Sequence, residues 1–290
     1  MRYGAVDIGT NSCRLLIAEK ENNQKLKCLA RELETTRMGE GINLSPVLEE
    51  AAMARTLDCL SRFRSKMQEY QVDEYRAVAT SAVRGAENGA EFVRRAETQS
   101  GMAVAIVSEQ EEARLSYEGV RRGLELTQPP LVIDLGGGST EFICPDQDIL
   151  LSIPMGAVRA AEADMSAGQI SDLMKQGGLL AVAPGSQPVV MVGGTVSSLA
   201  AIKIGLPEYD PERVHGEKLS RGEIGDLYNL LERMPLALRR RLPGLQPERA
   251  DIINKGALII LIIMELLGQK EIIVSESDLL EGIIWSLPDR

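Results

Sequence analysis

Aromatic side chains are scarce in this chain, with three Phe, six Tyr and one Trp making up 3% of its 290 residues. Its cores must therefore be filled by Ile, Leu, Val, Ala and Met. Cysteine is sparse and scattered. Cys13, Cys28, Cys59 and Cys144 form no CxxC pair and no zinc-like cluster, which excludes a disulfide framework and reads as reduced thiols serving as small core residues. Histidine occurs once, at His215, framed by no carboxylate partner or nucleophile motif, so it is read as structural. The longest apolar run, 257–264, is too short for a membrane span and fits a buried helix. Residues 3–7 carry no leader pattern, so the expected location is the cytoplasm. Positive charge is also short, 32 Lys and Arg against 42 Asp and Glu for a net charge of −10. That excludes a nucleic-acid-binding surface, and it opposes any polyanionic partner unless a divalent cation and local basic groups offset it.

What remains is the material of an α/β protein, long enough for two cores. Apolar patterning predicts strands at 3–6, 13–19, 26–33, 76–79 and 104–107, with helices over 46–70, 87–100 and 108–123. After a linker-like stretch at 127–130 the order begins again. Strands are expected at 131–133, 140–143, 189–192 and 271–274, with helices near 196–204, 221–233 and 248–267 and a last one ending at 287.

The restart carries an internal repeat. Asp7-x-Gly9-x-x-Ser12 and Asp134-x-Gly136-x-x-Ser139 share one frame, each between two strands. Read singly, either turn is also what an ordinary β-hairpin uses. As a pair in matching context they point to two anion nests. Glycines let the backbone approach an anion closely, successive N–H groups form a concave donor set, and a Ser or Thr hydroxyl adds to it. The candidate phosphate-binding residues are Gly9, Thr10, Asn11 and Ser12 in the first turn and Gly136, Gly137, Gly138, Ser139 and Thr140 in the second. A third glycine turn, with Gly194 and Thr195, opens a helix and reads equally as a phosphate or nucleotide site and as a tight strand-to-helix connection.

Together with 79–84 (ATSAVR), 111–114 (EEAR), 209–216 and 242–251, these turns resemble the exopolyphosphatase/guanosine pentaphosphatase (Ppx/GppA) family over nearly the whole chain. The resemblance is to its short form. It implies a duplicated actin-like α/β fold with ribonuclease H-like halves and an active site in the interdomain cleft. The lobes would be 1–126, completed by a returning helix at 279–290, and 127–278. By resemblance Glu112, the second acid of EEAR, is the catalytic base, Glu111 supports it, and Asp134 and Glu141 hold Mg²⁺ or Mn²⁺. Asp7, the counterpart of Asp134, either supports the metal or caps its own turn. Arg14 and Arg84 are the leading phosphate clamps, because a guanidinium fork matches phosphate oxygens. Arg249 is a further one, although an ion pair with Asp251 or a nearby acid would also account for it. The implied substrate is inorganic polyphosphate ahead of a guanosine polyphosphate. A non-catalytic sensor of either, or an actin-like ATPase or sugar kinase, are the competing readings, and a homodimer is implied by resemblance alone. Two departures stand out. Glu109 occupies a position where the family has Gly, and 274–282 lacks the Arg and the inner Gly of the family's last helix entry.

Overall fold

The computed structural model describes residues 1–21, 25–42 and 45–288. The chain forms two compact units, Met1–Gly123 with Asp278–Arg290, and Leu124–Ser277. It crosses into the second unit ahead of the linker-like stretch at 127–130. The last two residues of the returning segment expected over 279–290 lie outside the described residues.

The first unit is built on a five-stranded sheet of order β3-β2-β1-β4-β5. Its strands are β1 (Arg2–Ile8), β2 (Cys13–Lys20), β3 (Leu26–Glu34), β4 (Glu74–Ala79) and β5 (Val104–Ile106). β1 and β2 pair antiparallel, as do β2 and β3, whereas β1, β4 and β5 run parallel. Side chains alternate across a strand, and both faces of β1 are covered. Val6 and Ile8 join one cluster with Leu57, Leu60 and Phe63 of helix α1 (Glu50–Glu69). Tyr3 and Ala5 join another with Leu279, Ile283 and Ile284 of the closing helix Leu279–Trp285. Helices α2 (Ser81–Arg84) and α3 (Gly89–Arg95) follow β4, and α4 (Glu109–Gly123) follows β5. α1 begins later than the expected 46 because the Leu48 amide donates to Asn88 Oδ1 and the Pro46 carbonyl accepts from Glu87 N–H, holding 46–48 out of the helical ladder. Cys13 and Cys59 are buried as expected, but Cys28 is exposed on β3 and is no core residue.

The second unit repeats this plan. Its six-stranded sheet has the order β10-β11-β9-β6-β7-β8, formed by β6 (Leu131–Leu135), β7 (Thr140–Cys144), β8 (Ile149–Ile153), β9 (Val189–Val192), β10 (Lys218–Ser220) and β11 (Glu271–Val274). Read from the other edge, β8-β7-β6-β9-β11 reproduces β3-β2-β1-β4-β5 with the same parallel and antiparallel pairings. β10 is an added antiparallel edge. The helices are α5 (Ala157–Glu162), α6 (Ala167–Gln176), α7 (Gly194–Lys203), α8 (Pro211–Val214), α9 (Arg221–Arg233), α10 (Leu236–Arg239) and α11 (Ile253–Leu266), with the closing helix of the first unit becoming α12. α11 carries the apolar run 257–264 inside the core. It starts after the expected 248 because Arg239 Nη1 takes the Ala250 carbonyl and Asn254 Oδ1, at 3.0 Å each, and Pro247–Arg249 forms a separate 3₁₀ turn. This duplicated sheet order is the actin-like α/β fold, and no helix among the described residues is long and apolar enough to cross a membrane.

Candidate active site

Each unit presents one glycine turn at the same place in its sheet, between the first two strands. Gly9 N–H donates to the Ser12 carbonyl at 3.0 Å, and Gly136 N–H donates to the Ser139 carbonyl at 3.0 Å. Thr10 and Asn11 at one tip, like Gly137 and Gly138 at the other, are exposed, whereas the flanking Ile8, Cys13, Leu135 and Thr140 are buried. The tip carbonyls are tied down from behind. In the first unit Thr10 accepts from Gly39 N–H at 2.8 Å and Asn11 from Arg37 N–H at 2.9 Å. In the second, Gly136 accepts from Ala157 N–H at 3.0 Å, and Gly137 from Val158 and Arg159 N–H at 2.9 and 3.1 Å. Arg159 Nε adds a bond to the Gly138 carbonyl at 3.1 Å. Among the described hydrogen bonds, no backbone carbonyl accepts from the amides of Thr10, Asn11, Ser12, Gly137, Gly138 or Ser139. Carbonyls held back and donors turned outward are what an anion nest requires.

Strand register brings together residues that lie seven apart in sequence. Asp7 faces Arg14 across β1 and β2, and Asp134 faces Glu141 across β6 and β7. The same ladder position therefore holds a carboxylate with a guanidinium in one unit and two carboxylates in the other. Like charges directly opposite on a sheet are destabilising, and a bound cation would offset that repulsion. Glu141 is aimed by Ser152, whose hydroxyl donates to Oε1 at 3.0 Å. Among the described residues no three His, Cys, Asp or Glu side chains cluster as a closed metal cage. An oxygen-only pair suits an ion such as magnesium, which keeps several waters and shares substrate phosphates, better than it suits zinc.

In the first unit Arg14 is committed to protein carboxylates. Its Nε and Nη2 reach Asp7 Oδ2 at 2.9 and 2.8 Å, and its Nη1 pairs with Asp278. Burial pushes Asp7 above the ordinary carboxylate value, with the Arg14 guanidinium pulling against it. Burial acts the same way on Asp278, but there Arg14 and the Leu280 amide prevail and hold it below the usual range. Arg14 is thus a strut between β1 and the start of α12, not the open phosphate clamp expected of it. Asp7 Oδ1 is buried and has no hydrogen-bond partner among the described residues, an oxygen suited to a water or a cation. The atypical stretch 274–282 supplies this strut. Asp278 caps α12, and Glu281 completes the capping box and pairs with Arg31.

Glu112 stands in the first turn of α4, where the Glu111 amide donates to Ser108 Oγ at 3.2 Å. Arg84, at the end of α2, donates from Nη1 to Glu112 Oε2 at 2.8 Å and to the Val107 carbonyl at 2.9 Å. The expected base and the expected clamp are neighbours, and the guanidinium fixes the carboxylate. Glu111 instead pairs with Arg76.

The third turn fits the structural alternative better than a phosphate site. Gly193 has φ +107°, and a Cβ there would lie 2.6 Å from the Leu135 carbonyl oxygen, so only glycine fits. Thr195 is buried against Gly256 and Thr140 is buried with its hydroxyl donating to the Met155 carbonyl at 2.5 Å, so neither hydroxyl is a phosphate donor. Arg249 makes no ion pair with Asp251 among the described residues; it bonds Gln246 at 3.0 Å and lies flat against Gly194. His215 accepts the Glu276 amide at 3.0 Å through Nδ1. Sequence reasoning missed the segment behind the second turn. Gly156 lies so close that a Cβ would sit 2.4 Å from the Gly137 carbonyl carbon. Its only sequence signal is a glycine preceding a short apolar stretch.

Comparison with known proteins agrees with this geometry. The family model described as the Ppx/GppA phosphatase family matches residues 16–290. The chain is 30% identical over 304 aligned positions to a bifunctional 3-dehydroquinate synthase/phosphatase of Fusobacterium nucleatum subsp. nucleatum, covering 97% of this chain and 46% of that protein. It thus spans about half the length of that relative. Among solved structures, a Ppx/GppA family member of Aquifex aeolicus superposes with a TM-score of 0.88 at 28% identity, covering 99% of this chain and 97% of the other. An exopolyphosphatase of Cytophaga hutchinsonii superposes with a TM-score of 0.80 at 25% identity, covering 99% and 97%. The motifs, the duplicated sheets and these matches converge: the chain belongs to the Ppx/GppA phosphatase family.

Proposed function

We propose that this phosphatase removes the terminal phosphate of inorganic polyphosphate by attack of a water that Glu112 orients and deprotonates. The observation that carries the reading is the duplicated turn with its carbonyls tied back and its amides outward. Phosphoryl transfer needs little from a protein beyond positioning and charge stabilisation, and turns of this kind supply both for phosphate oxygens. Water forms the new P–O bond as the terminal anhydride P–O bond breaks. The departing chain leaves as an anion and needs no proton, so one base is enough. Glu112 is that base, held ready by Arg84. An arriving phosphate competes for the Arg84 guanidinium, whose move to a phosphate oxygen frees Glu112 Oε2 to face the attacking water. Asp134 and Glu141 would hold Mg²⁺ or Mn²⁺, which when bound supplies positive charge against the phosphate oxygens.

The test is phosphate release from polyphosphate, guanosine pentaphosphate and ATP at matched concentrations, with and without excess EDTA. Polyphosphate should be the best substrate and EDTA should abolish release from it. A preference for the pentaphosphate or ATP would overturn the substrate, and full activity in EDTA would overturn the metal. Asp134→Ala and Glu141→Ala should each raise the metal concentration for half activity.

A further inference from the structure

A groove rich in arginine lies on the first unit, along α4 and α12. The chain's single tryptophan, Trp285, is half-buried near the end of α12. Beside it opens a groove of about 440 Å³, lined by Arg114, Leu115, Glu118, Arg121, Arg122 and Trp285 among others. Its size falls within the range of small-ligand sites, roughly 300–1,000 Å³. Gly119 and Gly282 make the groove narrow at its base. A Cβ on Gly119 would lie 1.9 Å from the Asp278 carbonyl oxygen and one on Gly282 would lie 1.8 Å from that of Leu115, so the two helices touch backbone to backbone.

The charge of this groove runs against the rest of the molecule. Three arginines face two acids, Glu111 and Glu118, on a chain whose net charge is −10. Glu118 must serve both Arg121 and Arg122, at 3.2 Å each. Arg121 Nε is buried and has no hydrogen-bond partner among the described residues. A buried donor left unmet costs stability, while the Arg121 and Arg122 side chains, 38% and 41% exposed, keep other donors open to a ligand's acceptors. The apolar side of the groove is just as specific. The Trp285 ring is covered by two cations, the Arg122 guanidinium 5.1 Å and Lys20 Nζ 5.6 Å from its centroid, so the wall toward the groove is the Arg122 plane stacked on the ring, with Leu115 beside it. A flat, weakly polar ring fits against such a surface, while a phosphate fits the arginines.

We propose that this groove binds a purine nucleoside phosphate, with the phosphate on Arg121 and Arg114 and the base stacked on the Arg122 guanidinium, itself seated on Trp285, and against Leu115. The site is independent of the proposed hydrolysis, which uses other residues. It shares α4 with Glu112, so occupancy bears on the helix that carries the base.

Trp285 makes the test direct, because all tryptophan emission comes from this groove. GMP and AMP contain no anhydride to cleave, so binding can be read on the full chain without turnover. Either nucleotide should change the emission saturably, and ribose 5-phosphate and inorganic phosphate should do so far more weakly. Arg121→Gln should raise the Kd for the nucleotide at least about tenfold, and Glu118→Gln should lower it by freeing both arginines from their shared counterion. Circular dichroism of both variants, and equilibrium dialysis with Trp285→Phe, exclude loss of fold and a purely optical effect. No saturable change would overturn the proposal, as would a response unaltered in Arg121→Gln. Equal binding of inorganic phosphate would overturn the nucleoside part, since the apolar wall would then contribute nothing.

Discussion

Arg84 and Glu112 form an ion pair that orders both side chains. The guanidinium holds the carboxylate at 2.8 Å, which fixes the position of the group proposed as base. Arg84→Ala should therefore lower turnover by about 10²-fold through misplacement of Glu112, more than it raises KM. An equal rise in KM with unchanged kcat would show that Arg84 only binds. Asp7 gives a second expectation, in which function and stability oppose each other. Its pKa is raised above the ordinary 3.8, burial outweighing Arg14. A carboxyl whose folded value is raised contributes stability below 3.8, and that contribution is lost as pH rises through the folded value. Asp7→Asn should thus lose activity yet gain in Tm relative to the parent as pH climbs from 3 to 7. Melting curves across that range check the sign, and a variant less stable at pH 7 than at pH 3, relative to the parent, contradicts it. Residues of this kind were only half legible in the sequence. Motif position singled out Arg14, Thr140 and Thr195. It could not show that Arg14 is taken up by Asp278, 264 positions away, or that both threonine hydroxyls face inward.

At the scale of elements, the turns were readable because their demand is local. A glycine at the start and a serine three residues on set the Gly9 and Gly136 hydrogen bonds directly. The supports behind them were not readable, because they come from elsewhere in the chain. Arg37 and Gly39 reach the first turn, and the α5 amides reach the second, only once the sheet has formed. β8 and α5 escaped prediction for a related reason. Ile149–Ile153 is short, with four half-buried or exposed positions before the buried Ile153, and Ala157–Glu162 has too few residues to show a helical period. α11 was overextended because an apolar run does not reveal that Arg239 claims the Ala250 carbonyl. The support behind the second turn can be tested by Gly156→Ala. The added methyl collides with Gly137 backbone, 2.4 Å away, and displaces the turn. Phosphate release should fall at least about tenfold with little loss of helix content by circular dichroism. Activity at the parent level would mean that the turn's placement is not what matters.

For the whole molecule, the duplication sets the same ladder position to different use in the two units. It holds Asp7 with Arg14 in the first and Asp134 with Glu141 in the second. In the first the Arg14 guanidinium ties Asp7 to Asp278 as a strut, and in the second two carboxylates face each other, the pair proposed to hold the cation. Net charge of −10 then limits how a polyanion is held. Long-range attraction is unfavourable, so contact should depend on short-range groups and weaken as salt rises. A partial digest of long polyphosphate should show intermediate lengths on a gel, and disappearance of long chains without intermediates would reveal a basic path along the surface. The claim on which the rest depends is that Glu112 removes the proton from the attacking water. Glu112→Gln keeps the size and the Arg84 acceptor but not the base. Single-turnover phosphate release from polyphosphate, measured beside equilibrium binding of the same polymer, should show a loss of about 10² to 10⁴ in rate with affinity essentially unchanged. Release near the parent rate would show that Glu112 is not the base.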